Sequence, residues 1–174
     1  SLYADLDLQT QIYYGTISAM DEQMGRLWKK MEELGIQENT IIFFCSDNGP
    51  EEDTPGLAGV FRERKRSLYE GGVRVPAFVV WPKAIAGGSR TDLPAVTSDY
   101  LPTILDILKV KYPDNRPVDG KSIINELKQN IQERKKPIGF ICRPYISWDT
   151  DQYKLFQKNK DGAYELYDLL KDKE

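Results

Sequence analysis

Histidine is absent from this 174-residue chain, and cysteine occurs only twice. Without histidine there is no Cys/His zinc pattern, and Cys45 and Cys142, each in a predicted strand, do not make a disulfide framework. No apolar run approaches the ~20 residues of a membrane-spanning helix, and the first residues show no signal-peptide pattern. Ser1-Leu2-Tyr3-Ala4-Asp5 reads instead as a chain cut from something longer, which would remove any targeting signal. Neither sign of charge dominates: 24 Lys and Arg stand against 27 Asp and Glu, a net charge of -3. That balance gives no global electrostatic case for nucleic acid or an anionic membrane, although residues 62–66 are locally basic. There is no dinucleotide fingerprint, Walker-type loop, internal repeat or low-complexity tract.

What remains is an ordinary globular composition, with 40% hydrophobic and 29% charged residues, long enough for a domain with a real core. The organising stretch is 41–76. It opens with the apolar run Ile41-Ile42-Phe43-Phe44-Cys45, which reads as a buried parallel strand. The run breaks into Ser46-Asp47-Asn48-Gly49-Pro50. Ligands of open α/β sheets sit beyond the carboxyl ends of such strands, which places Asp47 and Asn48 where chemistry usually occurs. A carboxylate and an amide carbonyl side by side suit a hard cation such as calcium or magnesium. The same four residue types also dominate plain turns. Lys65 lies in the basic run Arg62-Glu63-Arg64-Lys65-Arg66, ordinarily a solvated face, yet a cation near a metal would stabilise an anionic substrate. Gly71-Gly72 either admits close backbone approach to a ligand or marks a bend before the next strand.

Around that stretch, apolar positions Tyr13, Ile17, Met20, Met24, Leu27, Met31 and Leu34 recur every three or four residues. They predict an amphipathic helix over 11–34, with its methionines packed in the core and Gly35 as a left-handed cap. Residues 51–68 show no steady period and read as a long loop or short helical pieces. Ala77-Phe78-Val79-Val80-Trp81 is a second buried strand. A helix starts over 96–102, capped by Ser98 or Asp99, with Ile104, Leu105 and Leu108 as its buried face. Residues 112–117 form a rigid polar connector, 120–127 a short helix and 129–136 a solvated charged stretch. Ile138-Gly139-Phe140-Ile141-Cys142 is a third strand. Tyr153 to Phe156 and Tyr164 to Tyr167 flank Asp161-Gly162 as a hairpin. The expected fold is α/β: part of a mainly parallel sheet flanked by helices, ending in a small antiparallel C-terminal subdomain. The expected divisions are 1–110, a connector over 111–137, and 138–174.

Ser46-Asp47-Asn48-Gly49-Pro50 followed by Lys65-Arg66-Ser67-Leu68-Tyr69-Glu70-Gly71-Gly72-Val73-Arg74-Val75-Pro76 resembles the C-terminal half of a type I, formylglycine-dependent sulfatase of the alkaline phosphatase superfamily. Residues 14–35, Ser98 to Leu108, Val118-Asp119-Gly120-Lys121-Ser122 and the closing hairpin resemble further parts of that family in the same order. The resemblance implies that Asp47 and Asn48 are two ligands of a calcium ion and that Lys65 contacts the sulfate. Arg64 and Arg66 match nothing assignable and default to solvent or structural pairing. The family's nucleophile is a formylglycine made from the cysteine of Cys-x-Pro-x-Arg. Neither Cys45-Ser46-Asp47 nor Cys142-Arg143-Pro144-Tyr145-Ile146 meets that pattern, and the family's paired acidic ligands and histidines have no match here.

The expectation is therefore a C-terminal portion of a sulfate-ester hydrolase, inactive alone. Its calcium site would be incomplete and weak, with formylglycine only in the missing N-terminal part. Implied partners are a sulfate-ester small molecule or a sulfated carbohydrate, without nucleic acid or membrane. Self-association through sheet edges exposed by truncation is also expected. The compartment implied by the resemblance is extracytoplasmic: periplasmic, secreted or lysosomal. The alternatives are a phosphate-ester hydrolase or phosphotransferase of the same superfamily, and a non-catalytic binding module that kept the fold.

Overall fold

The computed structural model describes residues 2–112 and 114–172. Pro113 of the predicted connector lies outside the described residues, as do Ser1 and the last two residues of the predicted C-terminal subdomain. The chain forms two compact units, Ser1–Lys83 and Ala84–Glu174.

The first unit begins with α1 (Leu8–Glu33). It starts three residues before the predicted start at residue 11 because Asp7 caps it, its carboxylate accepting from the Thr10 amide at 3.1 Å and the Thr10 hydroxyl at 2.6 Å. Gly35, at φ 65°, ends it as predicted. Its amide donates to the Glu32 carbonyl and that of Ile36 to the Met31 carbonyl, which satisfies the last turn. The apolar stripe is not core, contrary to the expectation for the methionines. Met31 is buried, whereas Ile17, Met20 and Leu27 are each nearly half exposed. Lengths explain this. A 26-residue helix is about 39 Å long, while the unit's four-residue strands reach only about 13 Å.

Those strands, β1 (Ile42–Cys45) and β2 (Ala77–Val80), pair antiparallel, with Phe44 opposite Phe78 and the two rings stacked at 4.7 Å. The parallel pairing expected of Ile41 to Cys45 is thus corrected, and both strands are half-buried or exposed rather than buried. A parallel neighbour needs a crossover that returns the chain to its starting end. Here the 46–76 connection is closed at its base like a hairpin, the Ser46 amide donating to the Pro76 carbonyl at 3.1 Å.

The second unit is built on a buried ion pair. A 3-10 turn (Thr97–Asp99) runs into α2 (Tyr100–Leu108), whose first turn accommodates Pro102. Asp99 is fully buried. Its carboxylate accepts from the Val96 and Lys121 amides, each at 2.9 Å, and from both terminal nitrogens of Arg134 at 2.6 and 2.8 Å. The stretch 129–136, expected to be solvated, therefore sends one cation inward. The inward face of α2 is also corrected: Thr103 is buried, while Ile104 and Leu108 are exposed. The Thr103 hydroxyl donates to the Asp99 carbonyl and accepts from the Ile123 amide, so a polar thread sets the helix rotation rather than its leucines.

A short helix, α3 (Ile124–Gln129), overlaps the predicted helix over 120–127 but starts four residues later and ends two residues beyond it. Four strands follow in meander order: β3 (Ile138–Cys142), β4 (Tyr145–Asp149), β5 (Tyr153–Gln157) and β6 (Tyr164–Asp168), all antiparallel. The antiparallel ending and its hairpin match the sequence reading, while β4 had not been anticipated. One face of the sheet buries Ile138, Ser147, Lys154 and Phe156; the other exposes Ile141, Trp148, Tyr164 and Leu166. The chain is a mixed α/β structure.

Candidate functional site

The long loop between β1 and β2 holds every predicted site residue. Three glycines set its shape by letting backbone touch backbone. The Gly49 amide donates to the Gly72 carbonyl at 2.9 Å, and the Gly71 amide to the Arg62 carbonyl at 2.8 Å. A Cβ on Gly49 would stand 1.8 Å from the Gly71 carbonyl oxygen, and one on Gly71 would stand 2.0 Å from that of Glu63. Gly71-Gly72 thus admits neighbouring backbone, and the helical turn Glu70–Val73 is wedged between the two arms of the loop.

The same packing brings the Asp47-Asn48 turn and Lys65 into one loop cluster, since the Lys65 amide donates to the Pro50 carbonyl at 3.1 Å. Asp47 is exposed, and its carboxylate makes no hydrogen bond or ion pair among the described residues. Asn48 donates its amide nitrogen to the Gly49 carbonyl at 2.9 Å, which leaves its side-chain oxygen unclaimed. These are two free oxygen donors of the kind a hard cation takes. They fit a calcium ion in chemistry but not in number, because that ion takes about six to eight oxygens. Among the described residues, no group of three or more Asp, Glu, His or Cys side chains is gathered to hold a metal.

Lys65 is not solvated freely. Its ammonium lies 3.3 Å from a Glu51 carboxylate oxygen, and Arg66 grips the other oxygen of the same carboxylate. The Arg66 hydrogen bond is the main cause that holds the Glu51 carboxyl down at about 2, with smaller help from the Glu52 amide and Lys65. Arg64 donates to the Glu52 carbonyl at 2.9 Å, and the Arg62 guanidinium lies over the Tyr69 ring at 4.1 Å. Both arginines that match no family position, Arg64 and Arg66, are in structural pairings. Glu63 and Arg66 adopt left-handed backbone, φ 63° and 74°, and so bracket Lys65 with two tight turns. A cleft of about 300 Å³ opens beside Lys65, between Leu57, Phe61, Glu63 and Arg64.

Glu51 is the residue that sequence reasoning missed. An acid after Asp-Asn-Gly-Pro, facing a run with four cations, was the available hint. Glu51, Glu52 and Asp53 offered it equally.

The chain belongs to the sulfatase family. The family profile described as Sulfatase matches residues 6–110, which contain the whole candidate site. A sulfatase from Formosa agariphila is 32% identical over 190 residues, covering 92% of this chain and 34% of that protein. The crystal structure of Ps i-CgsB superposes with a TM-score of 0.88 at 25% identity, over 98% of this chain and 39% of the other. BT4656, solved in complex with its substrate D-glucosamine-2-N,6-O-disulfate, gives a TM-score of 0.70 at 26% identity, over 91% and 33%. The chain spans 23% to 34% of the length of the curated relatives it matches.

Proposed function

We propose that this chain is one flank of the active site of a sulfuric ester hydrolase acting on a sulfate-ester small molecule or a sulfated carbohydrate. The observation that supports the reading is the glycine-closed loop, whose backbone bonds tie the segment just after Asp47 and Asn48 to that of Lys65, with oxygens unclaimed on the first two and an ammonium held by Glu51 on the third. Asp47 and Asn48 would hold a calcium ion. When bound, that ion supplies Lewis-acid polarisation of a sulfate oxygen. Lys65 donates to a sulfate oxygen and stabilises the charge that develops as the S–O bond breaks. The nucleophile, a formylglycine, comes from outside these 174 residues, because neither Cys45 nor Cys142 stands in the required pattern. Such an enzyme would work in an extracytoplasmic compartment.

The test is turnover of an aryl sulfate by the full-length protein that carries this chain. Lys65→Ala is expected to lower kcat by roughly 10²–10³, as for loss of one preorganised oxyanion donor. Asp47→Asn should weaken activation by added calcium. Faster hydrolysis of phosphate monoesters than of sulfate esters would overturn the reading, as would full activity of the Lys65→Ala variant.

A further inference from the structure

An ammonium on a four-carbon stem is a poor fixed charge unless something stops its rotation, because ordering a lysine side chain costs more rotamer freedom than ordering almost any other. Around Lys65 the structure supplies that stop, and the supplier has no place in the reaction as described. Glu51 is fixed at both ends. Its carbonyl accepts from the Thr54 amide and the Thr54 hydroxyl, at 3.3 and 2.8 Å. One carboxylate oxygen accepts from the Glu52 amide at 3.2 Å and from Arg66. Its second oxygen is the one 3.3 Å from the Lys65 ammonium. On the lysine side, the backbone is tied to Pro50, the residue just before Glu51, and bracketed by the two left-handed residues.

We propose that Glu51 is a positioning residue for sulfate-ester hydrolysis: anchored by Arg66, its carboxylate takes one of the three N–H donors of Lys65 and leaves two, fixed in direction, for the substrate's oxyanion. The inference rests on the sulfatase reading and deepens it. Three N–H donors and no acceptor make this division possible for lysine. Arg66 keeps the carboxylate from cancelling the lysine's charge, because the triad of Lys65, Arg66 and Glu51 retains one net positive charge. Glu51 touches no reacting atom and acts only through Lys65.

The test is a double-mutant cycle in the full-length protein, read as aryl sulfate kinetics with the thermal midpoint followed alongside. Glu51→Gln keeps shape and removes the charge. It is expected to lower kcat roughly tenfold while KM changes less than about twofold, the pattern for an interaction that matters in the transition state. In the Lys65→Ala background the same substitution should have no further effect. An equal loss in both backgrounds would mean that Glu51 serves the fold and not Lys65, and would overturn the proposal. Unchanged kinetics for Glu51→Gln beside a large loss for Lys65→Ala would overturn it while leaving the sulfatase reading intact. No loss in Lys65→Ala, or no sulfate-ester turnover in the parent, would overturn both.

Discussion

Glu51 shows what a single side chain contributes when two cations share it. Its carboxyl is held at about 2 against an ordinary value of 4.5, first by Arg66. The folded value is depressed, so the stabilisation is fully present above the unfolded value. It is lost as pH falls through about 2. Carbon-detected NMR of the Glu51 carboxyl should therefore show a midpoint near 2 and no inflection between pH 4 and 5. Arg66→Gln should move that midpoint up towards the ordinary value. Asp47, Asn48 and Lys65 could be singled out as candidates in the sequence because they stand in an ordered string of motifs. Glu51 was not, since which of three consecutive acids meets a basic run depends on where the loop folds back.

At the scale of elements, glycine carries opposite meanings in the two settings of the first unit. Gly71→Ala would force a Cβ against two backbone carbonyls, so unfolding stability should fall by at least about 1–3 kcal/mol in denaturant titration. Gly25→Ala, in the interior of α1 with open space around it, should raise stability by about 0.5–1 kcal/mol. In the second unit, Arg134→Met would leave Asp99 buried without its cation, at an expected loss of about 3–5 kcal/mol. The sequence reading placed α1, its glycine cap and the closing hairpin correctly, because period and turn chemistry are local signals. It did not anticipate the antiparallel pairing of β1 with β2, which depends on how a 31-residue connection closes on itself. It also misjudged residues 129–136, where one arginine in a charged run turns inward. Neither decision leaves a trace in local pattern.

Over the whole molecule, apolar surface remains uncovered in both units. The stripe of α1 presents Ile17, Met20 and Leu27, and the outer face of the four-stranded sheet presents Ile141, Trp148 and Leu166. Contiguous apolar surface and unpaired strand edges promote association. The 174-residue chain made alone should sediment as dimers or larger species at micromolar concentration, and a monodisperse monomer would contradict that. It should also show no aryl sulfate turnover with or without added calcium.

The cinched base of the 46–76 loop separates two tasks that most binding loops must share. With Gly49 tied to Gly72, Lys65 to Pro50 and Thr54 to Glu51, the arc from 57 to 60 can change length or composition without breaking any of those bonds. A graft or deletion confined to that arc would then reshape the adjoining cleft while the tied backbone beneath stays in register.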